Sequence, residues 1–330
     1  MNAGALLILL AASASAQTPA DFHTVVFAAR SEIKLALSAF GEEYRLVWDG
    51  RRFECKDISG RRGYNSVSAQ EIQSTGKGEC ADLRGIDLRN ARFRSADLRG
   101  ADLRGASVKG ADFNGAVMTA AQLARADLTN ADFTGARLDH ADFSGARMNW
   151  VRLENADLTS ARLRNVDLAR TDLRTAPLNG ADLQEAGLYQ ADLRGVDLRK
   201  SNLREANLTW AKLEGADLRE SNALHSEFLN ADLTRARAQG ADFSRANFYK
   251  ARLNYADFKN AGLRKASFQE AQARSADFTG ANLREADLRH SNLDGARFQA
   301  ADVRKAVYDK KTVLPISDQI AERRGMIKVK

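Results

Sequence analysis

Residues 81–105 read ADLRG IDLRN ARFRS ADLRG ADLRG, five units of five residues in one frame. The frame runs on to residue 310 without insertion or deletion and comprises 46 consecutive pentads. Position one is Ala in 37 of them, the exceptions being Ile86, Val151, Val166, Thr171, Val196 and four serines. Position three is Leu or Phe in 38, and position two is Asp or Asn in 27. Alternate side chains of extended backbone point to opposite faces. Ala at position one and Leu or Phe at position three therefore point inward together, while Asp or Asn at position two points out. Positions four and five must turn a corner, which suits the Gly, Asn, Ser and exposed Arg found there. Such an array grows by stacking and does not enlarge a single core.

This pattern resembles the A(D/N)LXX motif of the pentapeptide-repeat family, and the likeness covers residues 81–308. The resemblance implies an all-β fold, a right-handed quadrilateral parallel β-helix with one pentad per side and four per coil. Forty-six pentads then make about 11.5 coils, and strand spacing of about 4.8 Å gives a rod roughly 55 Å long. A second period supports four sides. Phe93, Phe113 and Phe133 are 20 residues apart, as are Phe228, Phe248 and Phe268, and Phe258, Phe278 and Phe298. From 153 to 218 every third-position residue is Leu, so Leu188 is expected to be buried between Leu168 and Leu208.

Outside the array the chain divides into three parts. Residues 1–16 read as a signal peptide, with an apolar run at Ala5–Ala12 and the small-x-small site Ala14-Ser15-Ala16, although Met1–Gly4 lacks Lys or Arg. That run is too short for a membrane anchor, and no later run approaches the length of a span. Residues 17–80 read as a helix–hairpin segment covering one end of the rod. Phe22, Val26, Ala29, Ile33, Leu37 and Phe40 recur at helical spacing. YRLVW (44–48) and RRFECKDI (51–58) flank Asp49-Gly50, a hairpin signal, and 59–79 read as a linking loop. Residues 309–330 read as a basic C-terminal cap, with a short helix from Ser317 to Arg324 stopped by Gly325. Cys55 and Cys80, the two cysteines, are expected to pair in an oxidising compartment, which would stabilise by roughly 3 kcal/mol.

Charge and motif content point away from catalysis. Formal net charge is +7, with 35 basic and 31 acidic side chains in residues 81–308. The position-two aspartates form outward columns at 20-residue spacing, which reads as a solvated wall of weak ion pairs. His140, His225 and His290 fall on three different sides and cannot share a metal. No nucleotide fingerprint is present, and no cofactor is expected. Some members of the family act as acidic DNA mimics on type II topoisomerases; that alternative needs a strongly negative surface, so a nucleic-acid enzyme is not the expected target. Two surfaces are candidates for binding. One is a basic cluster of Arg84, Arg89, Arg92, Arg94, Arg99, Arg104 and Lys109, suited to anionic polysaccharide or lipid headgroups. The other is a strip on one side formed by Trp150, Tyr189, Trp210, Leu229 and Tyr249, with Tyr255 on another side. The expected role is a periplasmic or secreted, non-catalytic scaffold for a protein partner or for self-association.

Overall fold

The computed structural model describes residues 44–50, 52–57 and 60–330. The signal peptide and the helix expected over 22–40 lie outside the described residues. Along the array, residues 20 apart pair in parallel, from Asp82 with Asp102 to Asp287 with Val307. Three bonds join most stacked pentads. The position-two N–H donates to the position-one carbonyl of the preceding coil (Asp102 to Ala81, 2.9 Å). The position-three N–H donates to the position-two carbonyl of the following coil (Leu83 to Asp102, 2.8 Å), and position five donates to position four (Gly85 to Arg104, 3.0 Å). The position-one N–H closes most corners on the position-three carbonyl (Ala101 to Leu98, 3.1 Å). Between Cys80 (54°) and Lys305 (61°) position five has positive φ, as the third residue of a type II turn requires, with Thr175 the exception.

One backbone donor per pentad, at position four, is left outside this ladder. In every one of the 27 pentads with Asp or Asn at position two, that side chain's Oδ1 accepts it. The outward aspartates are therefore turn-forming groups as well as surface charges, because a short side-chain acceptor here does what a backbone carbonyl does elsewhere. Arg at position four adds a second contact, pairing both carboxylate oxygens, as Arg304 does with Asp302. That guanidinium holds Asp302 down to about 2.

Inside, the phenylalanines stack as their spacing predicts. Phe113 and Phe133 lie 4.9 Å apart and nearly parallel, and Phe248 lies 5.0 Å from both Phe228 and Phe268. Leu188 is fully buried, as are Leu168 and Leu208.

The N-terminal end departs from expectation. The stretch read as a loop holds helix α1 (Ala69–Thr75), whose Ser68 Oγ accepts the Glu71 N–H at 3.1 Å. Asn65 pairs with Ala81 and Lys77 with Asp97, so α1 spans the two sides between them and buries Ile72 against the first coil. The end cover is therefore α1. The hairpin of β1 (Arg45–Trp48) and β2 (Phe53–Lys56) lies against the side wall instead. Its register pairs Trp48 with Phe53, so the turn has four residues, 49–52, where Asp49-Gly50 alone suggested two. The Cys55–Cys80 disulfide, with Cα atoms 5.9 Å apart, ties the hairpin to the corner before the first repeat. A glycine is needed beside it: a Cβ on Gly100 would stand 2.6 Å from Leu46 Cδ1 and 2.7 Å from Cys55 Sγ.

At the other end, β3 (Val307–Tyr308) pairs in parallel with β4 (Ile327–Lys328), and helix α2 (Asp318–Arg323) lies between them in sequence. Arg324 Nη2 donates to the carbonyls of Phe298 (2.9 Å) and Ala301 (2.7 Å), the second being a position-one acceptor that a further coil would have used.

Candidate interaction surface

The strip's residues occupy positions four and five of one wall, so they follow a single corner of the rod. Trp150 and Trp210 are 71% and 51% exposed. Tyr189, Leu229 and Tyr249 are half-buried. The ladder fixes this order: Trp210 N–H donates to Leu229 O (2.8 Å) and Arg170 N–H to Tyr189 O (2.8 Å). Tyr249 is held by its hydroxyl on Glu270 Oε1 (2.8 Å), with Lys250 Nζ 4.9 Å from its ring centre. Tyr255, 59% exposed, belongs to the next corner and has Arg235 over its ring.

The basic cluster does not form one face. Residues close in sequence occupy successive sides, and these seven are distributed around all four. Arg84, Arg89, Arg99 and Arg104 each grip the aspartate two residues before them. Arg94 meets Asp112, and Lys109 meets Asp127. Most of the positive charge is thus matched locally, and only stacking at 20-residue spacing would have gathered it into a patch.

A feature the sequence did not suggest is a cleft of about 460 Å³ where the hairpin crosses the wall. The corner column beneath it reads Gly100, Ala120, His140 and Ser160. Trp48 packs on Phe53 (4.9 Å between ring centres), and Phe53 packs on His140 (5.1 Å). Burial pushes the Glu54 carboxyl up, but Lys56, Arg62 and Arg52 outweigh it and leave the group below its usual value. The signal available in sequence was the pair of small corner residues, Gly100 and Ala120, under the hairpin.

Among the described residues, no group of three or more His, Cys, Asp or Glu is placed to hold a metal ion. Nor is any helix among them long and apolar enough to cross a membrane. Two family models match the array. One, pentapeptide repeats (8 copies), matches 81–119, 121–159, 161–199, 181–220 and 201–237; the other, pentapeptide repeat region, matches 223–298. The chain belongs to the pentapeptide-repeat family. Proteins of this family are non-catalytic structural modules for interaction with proteins or ligands, and this pentapeptide-repeat chain has that general role. Among solved structures it is similar to HetL from the cyanobacterium Nostoc sp. strain PCC 7120, a pentapeptide repeat protein involved in heterocyst differentiation regulation. Identity there is 28% and the TM-score 0.28, covering 71% of this chain and 89% of that one. It is also similar to QnrB1, a plasmid-mediated fluoroquinolone resistance protein, at 18% identity and TM-score 0.31, covering 65% and 97%. A pentapeptide repeat protein from the Arabidopsis thaliana thylakoid lumen matches at 27% identity and TM-score 0.22, covering 40% and 77%. No curated protein matches.

Proposed function

We propose that the chain is an exported, non-catalytic scaffold, a right-handed rod of about 11.5 coils whose aromatic corner docks a protein partner in the periplasm or outside the cell. The observation that carries the proposal is the exposure of Trp150 and Trp210 on one corner, 60 residues apart. Both have positive φ, 63° and 61°. Glycine fills this position without strain in 13 of the 46 pentads, while any side chain there costs about 1 kcal/mol. Folding alone gives no reason to keep tryptophan at such a site, whereas large aromatic anchors supply much of the energy of protein interfaces. Export is supported by the apolar run and Ala-Ser-Ala site at the N-terminus. The Cys55–Cys80 bond suits an oxidising compartment.

The two clauses fail separately. Protein recovered from its host is expected to begin at Gln17; an intact Met1 in a cytoplasmic fraction contradicts export. The combined change Trp150→Ser, Tyr189→Ser and Trp210→Ser removes no fully buried side chain and is expected to shift stability by less than about 1 kcal/mol. It is also expected to abolish association with the partner crosslinked to the wild-type chain. Association at wild-type strength would place binding elsewhere, and loss of oligomer alone would make the partner a second copy.

A further inference from the structure

Between residues 81 and 290 each pentad keeps at least two of its three ladder bonds to the pentad 20 residues on, except at one level. Pentads 146–150 and 151–155 keep none to 166–170 and 171–175. Met148, Trp150, Leu153, Asp167 and Asp172 do not donate across this spacing, and the bridges expected of Arg147 with Asp167 and Arg152 with Asp172 are missing. What joins the two levels is side-chain contact: Asn149 Nδ2 to Asp167 Oδ2 (3.0 Å) and the Asn155 N–H to Thr175 Oγ1 (2.8 Å). The flanking wall is intact, with Phe143 N–H on Arg162 O and Gly145 N–H on Arg164 O. The fourth wall is weakened, since Pro177 has no N–H to give Ala156.

The position-one residues account for the gap. Val151 stacks under Thr171, the one place in the array where two β-branched residues meet at position one. A branched residue facing Ala keeps the ladder where Val166 meets Ala186 and Val196 meets Ala216. In the open wall of 146–150 Val166 faces Ala146, and that wall adjoins the one where Val151 and Thr171 meet. Two facing each other carry extra bulk into a spacing that fits Ala. Val151 and Thr171 are 7% and 8% exposed, above every other position-one residue between Ala96 and Ser291. The two open walls meet at the corner that carries Trp150.

We propose that this seam is a joint built into the rod. The coils before it and those after it move as two blocks about the intact wall of 141–145 and 161–165, and the gap opens at the Trp150 corner. Backbone groups with no ladder partner and a solvent-touched core are what local opening at low free energy requires. The movement would alter the spacing between Trp150, on the first block, and Tyr189 and Trp210, on the second, without unfolding either block.

Amide hydrogen exchange on the full mature chain, with its disulfide intact, tests this without any partner. The amides of Met148, Trp150, Leu153, Asp167 and Asp172 are expected to exchange at least about a hundredfold faster than those of Leu188, Gln190, Leu193, Asn207 and Lys212, their equivalents two coils on. The double variant Val151→Ala, Thr171→Ala installs the residue that position one carries elsewhere, and it is expected to bring the five amides to the protection of their equivalents. Equal protection of the two sets in the wild type would overturn the joint. Fast exchange that persists in the double variant would overturn its assigned cause.

Discussion

Leu188→Asp is expected to destabilise the rod by upwards of about 4 kcal/mol, enough to remove the folded state of its middle coils. Leu188 is fully buried, and no ion-pair partner lies inward of the wall, where Leu and Ala fill the space. A carboxylate there must either stay charged without water or take up a proton. Each coil touches only its neighbours, so the damage spreads along the stack from the point of substitution. Thermal unfolding followed by circular dichroism should show a large drop in melting temperature or no cooperative transition. Limited proteolysis should cut first in the coils around residue 188. Lys212→Asp is the control, an exposed position-two site receiving the residue most common there. A Leu188→Asp chain that melts like this control would show that the five-residue frame is misassigned.

Phe248→Ala is expected to cost about 3–5 kcal/mol. Its ring is sandwiched between Phe228 and Phe268, each 5.0 Å away, and meets Phe243 and Phe258 at an angle. Those neighbours are fixed by the ladder above and below, so they cannot close on the cavity. Phe93, with one stacked neighbour at the start of its column, should cost less on the same change. Denaturant unfolding of the two variants checks the order. Equal losses would mean that the column does not act as a stack.

The core was legible because it repeats. Phe columns and the Leu run between 153 and 218 follow from a 20-residue coil, and inward position alone decides their burial. The role of the position-two aspartates was half legible: outward direction comes from alternation, but acceptance of the position-four N–H depends on the corner's dihedral angles. Helix α1 was missed because it is seven residues long and buries one large side chain, Ile72. Ser68 and Glu71 give the Ser-x-x-Glu signature of a helix start, and that signal was in the sequence. The basic cluster failed as a patch because neighbours in sequence turn onto different walls. Val151, Val166 and Thr171 were visible as exceptions to Ala. Only the pairing of residues 20 apart shows that Val151 and Thr171 meet. The hairpin's place on the wall has no periodic signal and depends on the disulfide and on the space above Gly100.

In the proposed function, one corner of the rod carries the interaction. A photo-crosslinking residue placed in turn at Arg204, Thr209, Glu214 and Arg219 samples all four corners of one coil and leaves Trp210 in place, since each is a position-four residue of successive sides. In the native host, the label at residue 209 should capture a protein partner, and the labels at 204, 214 and 219 should capture none or far less. Equal capture from all four corners, or capture from a corner other than that of residue 210, would contradict the account.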